Sequence, residues 1–365
     1  MQKSATVQVY TEGLTLSPDL EAGVKTCPLS TLCVRVCIGS ETGRYKNPGM
    51  DRYRIKRTLY WWLFPEDFTH KIRSEFHLVR GRAMTEDMEP AVRLNVASDI
   101  RWEYVPEVMD AGMPLYDYTA LPRRLRRDCP PHYHLLYSLK EHKGSLANAL
   151  DWLEHGGNVA VVIGGPLHPD GVRELALLRE ALRVERSPAR IKILEHRRAH
   201  VQSKYGMTLG RSKQAALAVL QRGKLWGFDT IPGDVHDARM LDAPTDPLLA
   251  EARGAWIVLH AKGPAVQDPS PFIVRVDPGT GFPLAATLEA RAAQEISWDE
   301  LERQKLAHRT LLSPPMRMEP LEPPVTLPTP RGQRDIGHPR EICVQLPSPW
   351  LVNPDGSAIR EWRWL

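Results

Sequence analysis

"NVAVVIGG" (158–165) is the stretch from which the fold is read. It is a continuous apolar run, and a run without alternation is what a strand covered on both faces shows. A helix precedes it: "SLANALDWLEHGG" (145–157) places Leu146, Leu150 and Leu153 at helical spacing and stops at a glycine pair. Another follows at "DGVRELALLREAL" (170–182). Upstream, "AVRLNVASDI" (91–100) is a strand running into a polar loop, "YVPEVMDAG" (104–112) a short helix, and "MPLYDYTAL" (113–121) and "HYHLLYSLKE" (132–141) two more strands. Downstream, "LWGFDTIPGD" (225–234) and "AWIVLHAKG" (255–263) each read as one strand. This rhythm predicts an α/β fold built on a parallel sheet, open or closed into a barrel. Functional groups then belong at the C-terminal strand ends. Those ends carry Ser98, Asp99, Thr119, Ser138, Lys140, Asp234 and Lys262.

The chain has 365 residues, 42% hydrophobic and 25% charged, the make-up of a soluble globular protein. Its five cysteines are too few for a secreted disulfide scaffold. "MQKSATVQVYTEG" at the start holds no apolar signal core, and no apolar run reaches the roughly 20 residues that span a bilayer. The expectation is a cytoplasmic protein with reduced thiols and no membrane partner. Organisation is expected as a domain over 1–264 and an extension over 265–365. The extension holds a helix at "SWDELERQKLAHRTLL" (297–312) capped by Ser297, a connector with eight prolines within 313–340, and a terminal hairpin over 341–365.

Three cysteines lie together in "TCPLSTLCVRVC" (26–37): Cys27, Cys33 and Cys37, with five and then three residues between them. Cys129 and Cys343 stand alone. Zinc thiols commonly come in short C-x₂₋₄-C pairs with a fourth ligand. Three thiolates are enough for a [4Fe–4S] cluster with one iron left open to a small molecule. A cluster, a zinc site and packing thiols all stay open on spacing.

"GDVHDAR" (233–239) gathers Asp234, His236, Asp237 and Arg239, a set suited to proton transfer or metal binding, or to an ordinary loop network. Asp234, His236 and Asp237 are the catalytic candidates, with Arg239 and Lys262 as substrate contacts. Ser98 with Asp99, and Ser138 with Lys140, are candidate cofactor contacts; Asp99 as a helix N-cap and Lys140 as a solvated cation are the plainer alternatives. "LYWWLF" (59–64) reads as core. Charge is segregated. Residues 181–224 hold eleven Lys/Arg against Glu185 and Glu195, a local +9 on a chain whose total is +4, which leaves −5 for the rest. Such a segment suits a polyanion, with Arg197, Arg198, Lys204 and Lys213 as candidate DNA or nucleotide contacts, or is a solvated helical face.

The order "TCPLSTLCVRVC…RLNVASDIRWE…PLYDYTALPRR…YHLLYSLKE…GDVHDARMLD…HAKG" resembles the phage family known as gene product 88, and also phage proteins described as radical S-adenosylmethionine (SAM) enzymes. The resemblance covers about residues 20–263. It implies a partial TIM-type barrel, with the basic helical segment as an insertion and the cysteine loop after the first strand. It further implies a [4Fe–4S] cluster on Cys27, Cys33 and Cys37, with SAM on the fourth iron and an external electron donor. The radical so formed would modify or isomerise a DNA base or its amino-acid adduct, in the cytoplasm of an infected bacterial host. Radical SAM enzymes usually space their cysteines by three and two residues. Ile38 stands where many have Tyr, Val36 where an aromatic often meets the adenine, and Ala120 where Lys is expected. The competing expectation is a nucleic-acid-binding phage protein with a structural metal.

Overall fold

The computed structural model describes residues 3–41, 48–122, 129–142, 144–242, 253–285 and 287. The chain divides into two compact units, Met1–Glu295 and Ile296–Leu365. The second lies outside the described residues, and with it the expected helix, connector and terminal hairpin.

The first unit is a nine-stranded, mostly parallel mixed sheet. In chain order the strands are β1 (Val9–Gly13), β2 (Glu89–Arg93), β3 (Leu115–Thr119), β4 (Tyr133–Ser138), β5 (Val159–Gly164), β6 (Lys224–Leu225), β7 (Phe228–Pro232), β8 (Trp256–His260) and β9 (Val274–Arg275). They lie in the order β1-β2-β3-β4-β5-β8-β7-β6, with β9 also on β5. Every pair is parallel except β6–β7. The α/β expectation therefore holds, and the carboxyl ends of the parallel strands share one edge.

The antiparallel pair departs from the sequence reading. "LWGFDTIPGD" is a hairpin, with Leu225 opposite Phe228 and the chain reversing through Trp226 (φ 48) and Gly227 (φ 86). Two successive positive φ values suit a tight hairpin turn, but a tryptophan is not a turn residue. Its ring lies edge-on to Trp256 at 5.2 Å, and that packing helps to offset the left-handed backbone.

Six helices matter here: α1 (Pro48–Leu63), α2 (Pro65–Thr85), α3 (Ser145–Glu154), α4 (Pro169–Val184), α5 (Pro188–Lys204) and α6 (Leu209–Arg222). Proline opens α2, α4 and α5, where its missing N–H is not needed. Thr208 caps α6 by accepting from the Arg211 N–H, and Gly223 ends it at φ 76. Small residues let α6 lie close to the sheet: Ala215, Ala216 and Val219 pack on Val159, Val161, Trp256 and Val258. The other face of the sheet buries Leu136, Ala160 and Ile257 in one cluster and Val9, Ala91, Tyr116 and Ala238 in another. This two-sided burial is what the run at 158–165 predicts. Of "LYWWLF", Trp61 is core and meets Trp102 at 6.2 Å, while Leu63 and Phe64 are exposed.

The loop after β2 is fixed from below by Asp117 of β3, which is wholly buried. Its carboxylate accepts from the Asn95 N–H (2.6 Å), the Asn95 amide (3.1 Å) and the Tyr133 hydroxyl (2.7 Å). Asn95 Oδ1 in turn accepts from Ser98 Oγ, the Ile100 N–H and Trp102 Nε1. Asp117→Ala strands three buried donors and should cost about 3 kcal/mol, with Asp117→Asn losing less. Urea unfolding should show a lower midpoint at unchanged slope. A variant within about 0.5 kcal/mol of wild type would show that the network does not hold the loop.

Candidate functional site

The cysteine loop follows β1 and crosses the carboxyl edge of the sheet. It is tied down at several points. Thr26 Oγ1 donates to the Ser17 carbonyl at 2.6 Å, and the Thr26 carbonyl accepts from the Asp99 N–H at 2.8 Å. Lys25, Asp19 and Ser30 form a local polar cluster. Glu141, just beyond β4, accepts from the Thr31 hydroxyl and from the Cys33 N–H, the latter at 3.0 Å. Cys27 Sγ donates to the Ala97 carbonyl at 3.4 Å. A Cβ on Gly39 would sit 2.5 Å from that of Ala97, so the two loops meet where a side chain has no room. The turn Leu32–Val36 seats Val36 against Ala261, Ala265 and Val266 beyond β8.

Cys27, Cys33 and Cys37 are thereby brought into one electrostatic environment. Cys37 acts on both of the others, and Lys140 feels all three together with Glu141. Burial pushes the Cys27 thiol up to about 12. It pushes Cys33 up to about 11, with Lys140 pulling down and Glu141 adding to the rise. Burial also works against the Lys140 charge, but Cys33, Glu141, Cys27 and Cys37 outweigh it and raise the ammonium above its ordinary range. Its Nζ lies 4.9 Å from the Phe272 ring centre. Among the described residues no group of three or more His, Cys, Asp or Glu converges on one ion position. Cys129 lies before β4, at the opposite edge, and Cys343 is outside the described residues.

The other candidates are distributed as follows. Ser98 and Asp99 are buried. Ser98 bonds Asn95. Asp99 accepts from Thr119 Oγ1 (3.1 Å) and the Ala120 N–H (2.9 Å), so its carboxylate joins two loops rather than capping a helix. Ser138 ends β4 and is half-buried. "GDVHDAR" splits in two. Asp234 turns to β8, where its Oδ2 meets the His260 N–H (2.8 Å) and Nδ1 (2.5 Å) and its Oδ1 meets Lys262 Nζ. His236 lies 3.8 Å from Asp242, which pairs with the buried Arg239 at 2.9 Å. Arg239 also lines a small cavity with His134, Leu136 and Asn158, toward the amino ends of β4 and β5. Asp237 is exposed, and its N–H donates to Ser4 Oγ at 3.2 Å. Arg197, Arg198 and Lys204 are on α5, and Lys213 on α6.

Sequence reasoning missed Glu141, His260 and Arg275. Glu141 and His260 sit one and two residues from the candidates Lys140 and Lys262, at strand ends, so position was the available signal. Arg275 is buried and donates to the carbonyls of Gly165, Val266, Ala265 and Asp268, clamping the loops beyond β5 and β8. Burial pulls its guanidinium down to about 10, against the opposing effect of Asp268.

Fold and site together define a mostly parallel α/β domain with three thiols gathered at the carboxyl edge. The chain belongs to the Gene product 88 family, whose family model matches residues 2–273. Comparison with curated proteins and with solved structures gave no match.

Two outcomes follow from these environments. In chelator-treated protein at pH 8.5, Cys27 and Cys33 should alkylate with iodoacetamide at least about tenfold more slowly than an unperturbed thiol, because the thiolate reacts. Mass spectrometry of quenched time points reads this; equal rates would mean the thiols are not desolvated. For Asp234, burial opposes the charge, yet the His260 and Lys262 bonds hold the carboxyl well below the usual carboxylate range. A depressed carboxylate contributes stability above its unfolded value of about 3.9, which is lost as pH falls toward the folded value. Asp234→Asn should therefore cost about 1–2 kcal/mol at pH 7, a gap that narrows below about pH 4. Denaturant unfolding across pH measures it, and a gap independent of pH would contradict the linkage.

Proposed function

We propose that this chain is a radical SAM enzyme whose [4Fe–4S] cluster is held by Cys27, Cys33 and Cys37. The observation that carries the reading is the meeting of these thiols beside Lys140 at the carboxyl edge of a parallel sheet. The donor set fits. Thiols around one zinc lie about 3.8 Å apart, given Zn–S distances of about 2.3 Å. Thiols on three different irons need no common ion position. The run of neighbours β1 to β5 in chain order supports a partial barrel of the TIM type, with its mouth at this edge.

When bound, the cluster would pass one electron from an external donor to SAM, whose S–C5′ bond would break to give methionine and a 5′-deoxyadenosyl radical for hydrogen abstraction. The residues of the chain do the rest. Cys27, Cys33 and Cys37 give up their protons to bind iron, against the burial that holds Cys27 and Cys33 protonated. Lys140 would offset part of the resulting negative charge and pair with the cofactor carboxylate. Glu141 fixes the peptide of Cys33. Asp99 ties the loop after β2 to the end of β3 beside the site. Phe272 and Val36 pack in one apolar cluster on the β8 side of the site.

Anaerobically purified protein should be brown, with iron and sulfide in equal amounts. Alanine at Cys27, Cys33 or Cys37 should each abolish both, and Cys129→Ala should leave them unchanged. Reduced protein given SAM should release 5′-deoxyadenosine, and Lys140→Met should weaken SAM binding about tenfold, the worth of one charge-assisted hydrogen bond. A colourless protein with one zinc would instead favour the structural-metal reading, and iron retained by Cys33→Ala would refute the ligand assignment.

A further inference from the structure

Helices α4 and α5 form a hairpin that the sheet does not need. The three residues Glu185–Ser187 join them, so they run antiparallel. They pack on each other through Leu175, Leu178 and Val201, with Met207 beyond. The helix that crosses back along the sheet is α6.

On α5 the exposed side is ordered. Arg190, Arg197 and Lys204 are seven residues apart, which on an α-helix places them on one ridge, about 10.5 Å apart along roughly 21 Å. All three are exposed. Glu195, the one acid in this helix sequence, sits about 160° round from Arg197. Arg198 is half-buried, and Lys213 stands on another helix. The ion pairs of Arg190 with Glu185 (3.9 Å) and Lys204 with Glu174 (3.6 Å) are long, and the cation of each is exposed, so a phosphate can replace them at little cost.

We propose that the ridge Arg190–Arg197–Lys204 docks the phosphate backbone of duplex DNA. Charge complementarity points to a polyanion. The choice of duplex rests on the aromatic content of the ridge, since single-strand sites stack bases on aromatic rings: residues 184–204 contain no Phe, Tyr or Trp, and Tyr205 at its end is half-buried, with its ring against His168 and Lys204 and its hydroxyl donating to Glu174. The ridge also leads to the thiol edge. Helix α4 leaves the carboxyl end of β5, so the Lys204 end of α5 returns there, with Tyr205 and Met207 closed over Gly171. The Met207 carbonyl accepts from Gln267 Nε2 at 3.4 Å, and the turn Gly263–Gln267 packs through Ala265 and Val266 on Val36 of the cysteine loop. That the docked DNA is the substrate rests on the enzyme reading above; the docking itself does not.

The test is fluorescence anisotropy of full-length protein with a labelled 20-base-pair duplex of arbitrary sequence, and with one of its strands, across a NaCl series. Wild type is compared with Arg190→Glu/Arg197→Glu/Lys204→Glu. The control, Arg52→Glu/Lys71→Glu/Arg73→Glu, carries the same charge change on α1 and α2. Circular dichroism and thermal melting confirm that all three fold alike. The ridge variant should bind the duplex at least about tenfold more weakly, and its log–log salt slope should flatten by about 0.9 for each phosphate that is no longer neutralised. The control should change less than about threefold. Equal weakening in both variants, or no binding by wild type, overturns the ridge. Tighter binding of the single strand overturns the choice of duplex. Iron content is measured in parallel. A ridge variant that keeps iron but loses DNA, beside a Cys33→Ala variant that loses iron but keeps DNA, supports the docking and separates it from the cluster.

Discussion

A carboxylate that no water reaches governs the carboxyl edge of this sheet. Asp117 is fully buried, and its oxygens accept only if Asn95 and Tyr133 stand where they do. Asn95 passes the constraint on. Its side chain collects Ser98, Ile100 and Trp102, which shapes the loop over residues 95–102. Asp99 on that loop then reaches two ways: its side chain to the end of β3, its N–H to the Thr26 carbonyl. Cys27 comes next, and its thiol donates to the Ala97 carbonyl of the same loop. The position of the first cysteine is thus inherited, bond by bond, from a residue in the middle of β3. An unpaired buried charge is among the costliest defects a fold can carry, so this chain of hydrogen bonds is enforced.

The other end of the cysteine loop is held from β4. Glu141 takes the Thr31 hydroxyl and the Cys33 N–H, and its neighbour Lys140 faces the thiols. These adjacent residues pull in opposite directions. Lys140 favours thiolates, whereas Glu141 and burial disfavour them. With all three thiols protonated the site keeps the single charges of Lys140 and Glu141, which balance. Ionising the thiols adds three negative charges that one ammonium does not neutralise, so the thiolate form calls for a bound cation.

How much of this the sequence discloses depends on whether the cause is local. The strands at 91–100, 113–121, 132–141 and 158–165 are legible because burial on both faces leaves an apolar run in the chain itself. The turn at Trp226–Gly227 is not, because its left-handed tryptophan relies on packing against Trp256, thirty residues on. Asp234 and His236 look like a pair, being two residues apart. They separate because β8 lies between β5 and β7, which brings His260 to Asp234 and leaves His236 to Asp242. Asp99 reads as a helix cap because short polar residues after strands usually cap. Here the bond goes to the next strand end, 21 residues away. The cysteines are conspicuous in the sequence; Glu141, which fixes one of them, is one acid among 44.

The distribution of charge separates what the fold requires from what has been added to it. Helix α6 alone returns the chain from β5 to β7 and fills the outer groove of the sheet with Ala215, Ala216 and Val219. The α4–α5 hairpin precedes it as a detour with its own small core of Leu175, Leu178, Val201 and Met207. Stability of the sheet gives no reason for that detour, nor for surrounding it with cations that repel one another at short range. Elsewhere the chain is net acidic, and the buried arginines Arg54, Arg239 and Arg275 are taken up by carboxylates or carbonyls. On α5, Arg190, Arg197 and Lys204 lie exposed in a row, two of them only in long ion pairs with Glu185 and Glu174, and the helix's one acid is on another side. Cations spaced along one exposed ridge are what the proposed docking draws on, because each neutralises a separate phosphate and the repulsion between them is relieved as the counterions leave.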